Sequence, residues 1–433
     1  MDLEVTLVTN MSKTLFTFII LVVLAGLGGA YYWFFVRMPN LTVQTDTSLT
    51  TNNTFSPFSS GGGMVNGGTG NSNNGGQSQN GGTSTDNQID PSSSQVPSLR
   101  HLSTTPIGGM AASTTASSTI VRWIDRGVGH IFQAYSDNLA ITELSNTTIP
   151  RVYESYWSGK ANALIFSTVP DDSDTITTFY AEIKASASAS NTTPYELKGS
   201  TVPSNTTAVA LSPKGDSVFT LTNENAAGVG YTSLLNGQKR TQIFTSPLTQ
   251  FNIDWPEINT LALTTKGTSF GTGFLYFVNP KNGVFNKILG NIRGLSTLTS
   301  HDAKKVLYSS SANNTITTAI FDVKTHTSQS LAFNTLPDKC VWGTINKDIL
   351  FCAVPSEIPA GAYPEAWYNG TVSFSDKIWQ VNAATGDVHI VADLLGISRT
   401  IIDAENLKLD PKENYIYFMN KRDLTLWSFS LNG

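Results

Sequence analysis

Six times between residues 152 and 420 the chain runs through the same short cycle: an apolar stretch, a turn rich in Ser, Pro, Gly or Asp, and a second apolar stretch. The clearest copy is "VALSPKGDSVFTLT" (209–222). The others are "VYESYWSGKANALIFSTV" (152–169), "FNIDWPEINTLALTT" (251–265), "LSTLTSHDAKKVLYSSS" (295–311), "CVWGTINKDILFCAV" (340–354) and "LKLDPKENYIYFMN" (407–420). A third run and an Asn/Gly-type turn into a fourth follow, as in "GFLYFVNPKNGVFNKIL" (273–289), "TAIFDVKTHTSQSLAF" (318–333) and "KIWQVNAATGDVHIVADL" (377–394). Equivalent turn positions at Ser158, Ser212, Trp255, Ser300, Thr344 and Asp410 are separated by 54, 43, 45, 44 and 66 residues. Four short strands every ~45 residues is the period of a β-propeller blade. Each such sheet is apolar on both faces, so only neighbouring blades can cover it, and closing the ring leaves short, protected edges. A β-sandwich is the alternative all-β reading, but it gives no cause for the in-register repetition.

Residues 120–150 supply the second, third and fourth strands of an earlier blade, and "TPIGGMAAS" (105–113) supplies its first, which brings the blades to seven. The last copy, ending in "TLWSFSLNG", has only three strands. "LRHLSTTPI" (99–107) reads like "ITELSNTTI" (141–149), whose first half is a fourth strand. Leu99 to Ser103 is therefore expected to complete the seventh blade and pin the two ends of the domain together. The expected fold is all-β, a seven-bladed propeller of four-stranded blades over residues 98–433, with 98–103 as its closing strand.

Two unlike segments precede it. Residues 14–36, "TLFTFIILVVLAGLGGAYYWFFV", hold 23 positions without a charge. As a helix they would span about 35 Å at ~1.5 Å per residue, enough for a bilayer core of about 30 Å. The aromatic cluster at Tyr31 to Phe35, followed by Arg37, suits the headgroup layer. A single transmembrane helix is expected, with a cleaved signal peptide as the alternative. Residues 37–97 are rich in Gly, Asn, Ser and Thr and nearly free of aliphatic side chains, so they are expected to form a disordered spacer with an r.m.s. span of roughly 40–46 Å. Lys13 and Arg37 balance across the helix. The short polar segment 1–13 is expected on the cytoplasmic side and the long C-terminal part outside the cytoplasm, at the cell surface or in the periplasm. Cys340 and Cys352, the only cysteines, are close enough in sequence to suit a disulfide in an oxidising compartment, with two buried free thiols as the alternative.

The "SPKGDSVF" turn and the third strands ending in Asn or Asp resemble the WD-repeat-like repeats of TolB-type propellers, over about residues 98–433. "VRWIDRGVGHIF", "ELSNTTIPRVYESYW", "KKVLYSSS", "LPDKCVWG" and "YNGTVSFSDKIWQV" are similar to a set of uncharacterised membrane-anchored proteins of candidate-phylum bacteria. These resemblances imply an anchor, a low-complexity spacer and a propeller, and no particular activity. Most copies depart from a strict "SPDG" turn, and the Gly-His and Trp-Asp pairs of eukaryotic WD repeats are absent.

Chemistry-bearing motifs are sparse. The formal net charge is -5 and no Lys/Arg run exceeds two residues, which argues against a nucleic-acid partner. "GTSFG" (267–271) matches the Gly-x-Ser-x-Gly pattern that would make Ser269 a nucleophile. That elbow needs a helix after it, however, and here a strand-like run follows. The five histidines, His101, His130, His301, His326 and His389, have no metal-ligand spacing, and no calcium loop is present. No catalytic residue, metal or cofactor is therefore assigned.

The widest interval comes from an insertion at 355–377 in blade six, on the face where propellers commonly bind ligands. It offers Tyr363, Glu365, Trp367, Tyr368 and Asp376, aromatic faces beside carboxylates that suit protein or carbohydrate contacts. The competing reading is that the loop caps the channel with Trp367 as its anchor. The expected function is a non-enzymatic, membrane-tethered binding module for a protein or envelope polymer, and the insertion is expected to be dispensable for folding. The alternatives are a propeller enzyme acting on carbohydrate and a structural surface spacer.

Overall fold

The computed structural model describes residues 96–115, 118–169, 176–186, 193–202 and 205–432. The expected membrane helix at 14–36 and the spacer up to residue 95 lie outside the described residues. Among the described residues, no helix is long and apolar enough to cross a membrane.

The strands form seven antiparallel four-stranded sheets, each built from consecutive strands except the last. The first strands are Ile107–Thr114, Val152–Trp157, Thr206–Leu211, Phe251–Glu257, Ser296–Thr299, Cys340–Trp342 and Ala404–Leu409, in blades one to seven. Neighbouring first strands approach one another around the ring, with a short 3-10 turn at Pro337–Lys339 bridging blades five to seven. Second strands lie inside each sheet with blades on both sides, so they lose the usual in/out alternation. All six residues of Ala163–Thr168 are buried.

The recurring turn has a physical basis. The main-chain N–H of Ser158, Ser212, Ser300, Gly343 and Asp410 donates to the carbonyl of Ala163, Ser217, Lys305, Ile349 and Tyr415 respectively. The Ser158, Ser212 and Ser300 hydroxyls and the Asp410 carboxylate also accept from the main-chain N–H that opens the second strand. A small polar side chain at this position thus satisfies donors that the turn would orphan. Blade four departs from the pattern: its first strand runs to Glu257 through a register shift between Asp254 and Glu257, so its turn falls beyond Trp255.

The seventh blade is completed from the opposite end of the domain. Leu99–His101 pairs antiparallel with Thr425–Ser430, Leu99 opposite Phe429 and His101 opposite Trp427. The His101 and Trp427 rings stack at 4.3 Å. Arg100 Nη1 donates to the Tyr135 carbonyl in blade one at 2.8 Å, and Ser103 Oγ accepts from Leu426 N at 2.8 Å. The closing strand is therefore stitched to blade seven and, through Arg100, to blade one.

Candidate functional site

A connection between the second and third strands of a blade lies on the same face as the links between successive blades, here the upper face. Leu99 begins the closing strand at the lower face, because His101 leads into the link to blade one.

The insertion of blade six therefore sits on the upper face, between Ile349–Pro355 and Asp376–Asn382, and carries a one-turn helix at Glu365–Tyr368. It is held from below by a buried charge cluster. Lys339, fully enclosed, donates from Nζ to Asp376 Oδ2 at 2.8 Å, to Asp403 Oδ1, and to the Ala404 carbonyl at 2.9 Å. Trp367 Nε1 and Phe374 N donate to the Asp403 carboxylate at 3.1 and 2.9 Å. Around these groups Tyr363, Trp367 and Phe374 pack with Ile316 and Leu336. Gly294, at φ 65°, allows the closest approach: a Cβ there would lie 2.8 Å from the Tyr363 carbonyl and 2.5 Å from Ser311 Cβ.

The five residues expected to meet a partner thus divide. Tyr363, Trp367 and Asp376 are buried and act as anchors, since their side chains complete a core and an ion cluster. Glu365 is half-buried, and its Oε1 accepts from Ser269 N at 2.8 Å. Tyr368 keeps 36% of its surface exposed, and its hydroxyl donates to Asp338 Oδ2 at 2.9 Å. The same Asp338 oxygen accepts from Ser296 Oγ at 2.9 Å, which locks the mouth of the channel beneath the insertion. Burial beside Asp338 pushes the Tyr368 hydroxyl well above its ordinary range. Ser269, in the Gly-x-Ser-x-Gly stretch, lies between two strands, and its hydroxyl faces Glu365 at 3.4 Å. Cys340 and Cys352 stand directly opposite each other on neighbouring strands and are joined by a disulfide.

Next to the insertion, the loop between the second and third strands of blade four is tied by Gly294 N and Gly271 N, both donating to the Thr268 carbonyl, and by Phe270 N donating to Thr268 Oγ1. From this loop Phe270 projects with 84% of its surface exposed. Tyr153, on the same face, is half exposed and lies beneath the Arg126 guanidinium at 5.3 Å.

Below the mouth, the first strands enclose a channel with two adjoining chambers of about 970 and 520 Å³. Its ionisable lining was not legible in the sequence, because it is assembled from single residues of different blades. Glu154 accepts from the Tyr156 hydroxyl at 2.9 Å, and burial pushes its carboxyl up. Glu405 is raised by burial against the pull of Lys421, whose Nζ lies 3.7 Å away. Deeper in the channel, Asp254, His301 and Lys408 face one another across water-accessible space. Desolvation by the surrounding blades raises Asp254 and lowers Lys408 and His301; Lys408 opposes the shift of Asp254, Asp254 opposes those of Lys408 and His301, and Lys408 adds to the lowering of His301. Among the described residues, no group of three His, Cys, Asp or Glu side chains is arranged to hold a metal ion.

No protein-family model matches the chain, and no curated protein does. Among solved structures it is similar to TolB from Acinetobacter baumannii, at 10% identity and a TM-score of 0.40 over 64% of this chain and 77% of that one. An oligogalacturonate lyase from Vibrio parahaemolyticus shares 7% identity, with a TM-score of 0.47 over 75% and 97%. A puromycin-hydrolyzing peptidase from Mycobacterium tuberculosis shares 9%, with a TM-score of 0.41 over 72% and 50%. At these identities the likeness concerns architecture alone.

Proposed function

We propose that this protein is a membrane-tethered, extracytoplasmic binding module that engages a protein or envelope polymer through the upper face of its propeller, without catalysis. The observation that carries this reading is Phe270, a large apolar side chain 84% exposed on a loop fixed by main-chain hydrogen bonds and braced against the insertion through Ser269 and Glu365. Leaving an aromatic ring in water gains nothing for folding, whereas an aromatic anchor carried on a hydrogen-bonded loop lowers the ordering cost of binding. Tyr368 and Tyr153 extend the same face around the channel mouth.

The test is capture from envelope extract by the full-length protein in detergent. Phe270→Ala is expected to abolish capture while leaving the unfolding temperature unchanged. Capture equal to wild type would overturn the reading. The Glu154, Asp254 and Glu405 carboxylates in the channel support a second reading, an enzyme acting on carbohydrate. Oligosaccharide turnover by the wild type that is lost in Glu405→Gln would replace the binding reading.

A further inference from the structure

The residues that line both chambers of the channel include Asp254 and Lys408 together with Asp338, Glu405 and Lys421, so the Asp254–Lys408 pair stands where the chambers meet, beside the Glu405–Lys421 ion pair. Asp254 comes from the first strand of blade four and Lys408 from that of blade seven. Neither takes part in an ion pair among the described residues; the Asp254 carboxylate accepts from the Trp255 main-chain N–H, and Lys408 makes no side-chain hydrogen bond among the described residues. They are close enough for each to act on the other's titration. His301 borders the same space and is hydrogen-bonded to the main chain of Trp342, which fixes its ring. The wall here is not uniformly polar: Leu211, Ile253 and Leu409 line it half-buried.

An opposite-charge pair kept apart on the wall of one channel meets its complement in a molecule that carries both charges. A simple anion would find Lys408 but would also face Asp254, Glu154 and Glu405. A simple cation would face the Lys408 ammonium. A neutral polyol would hydrogen-bond to both groups but bring no charge to either. A zwitterion satisfies both at once, and the apolar wall beside them accommodates a hydrocarbon side chain.

We propose that the middle of the channel is a binding site for an apolar α-amino acid, with Asp254 receiving the ammonium, Lys408 the carboxylate, and Leu211, Ile253 and Leu409 the side chain. This site is separate from the macromolecular contact proposed for the upper face.

The experiment is calorimetric titration of the full-length protein in detergent with L-leucine and L-phenylalanine, beside isopentylamine, isovalerate, glucose and inorganic phosphate. Saturable binding of the amino acids is expected, weaker by about ten-fold or more for the amine or the carboxylate alone. Asp254→Asn and Lys408→Met should each weaken amino-acid binding by about ten-fold or more, both with the wild-type unfolding transition. Phe270→Ala should leave it unchanged, which separates this site from the upper face. No binding of either amino acid to the wild type overturns the proposal, as does unchanged affinity in both channel variants. Binding of glucose, phosphate, amine or carboxylate as tight as that of the amino acids also overturns it.

Discussion

Lys339 shows how one residue can hold a surface loop in place. Its ammonium is out of water entirely, and the Asp376 and Asp403 carboxylates with the Ala404 carbonyl replace the lost solvent. Lys339→Met leaves two carboxylates buried without a cation and is expected to lower stability by about 3–5 kcal/mol, measured by denaturant unfolding. Asp376 behaves differently. Burial pushes its carboxyl up to about 6, against the pull of Lys339, and its Oδ1 has no hydrogen-bond partner. A carboxyl whose folded pKa lies above its unfolded value binds a proton more tightly in the fold, so its contribution to stability falls as pH rises from about 4 to about 6. Asp376→Asn keeps an acceptor for Lys339 and Ala404 and removes the titration. It should fold as stably as wild type at neutral pH, with a flatter dependence of unfolding temperature on pH between about 4 and about 7. An unaltered pH profile would show that the titrating group is another.

The insertion of blade six is an element of the core as well as of the surface. Its length and aromatic content suggest a dispensable loop, but Trp367 roofs the cluster around Lys339 and donates to Asp403. Deleting residues 357–370 removes that roof and is expected to cost at least about 3 kcal/mol by the same argument from exposed, unpaired charge. A deletion variant melting with the wild type would refute this. The smaller surface substitution at Phe270 is therefore the cleaner probe of binding. The disulfide in the same blade closes a short loop between its first two strands. Replacing both cysteines by Ser is expected to lower stability by about 2–3 kcal/mol without unfolding the ring.

For the whole molecule, the ring is closed by three residues from near the start of the propeller. Leu99–His101 covers the edge of Thr425–Ser430, and Arg100 reaches across to blade one. Starting the chain at residue 105 exposes that edge and should abolish the cooperative unfolding transition, with aggregation through the bared strand. Removing residues 40–95 should leave the transition where it is. Both are read by thermal unfolding with light scattering.

The sequence alone determined the blade period, the count of seven and the closing strand at Leu99, and it left Cys340 and Cys352 open between a disulfide and free thiols until the structure set them opposite each other. The cysteines flank one turn, and the blades are legible because each repeat writes the same local pattern, apolar runs of strand length and a polar turn residue capping the next strand. The closing strand follows from comparing the repeats, since the last copy lacks the strand that Leu99 to Ser103 resembles. Tertiary structure decided which of the candidate residues are buried and which stay exposed. Tyr363, Trp367 and Asp376 read as contact residues because their types suit recognition, and only the approach of Lys339 and Asp403 from other parts of the ring buries them. Asp254, His301 and Lys408 carry no motif at all. They lie in three blades and meet only because closing the ring brings the first strands of distant repeats around one channel, a convergence that no pattern local to one repeat encodes.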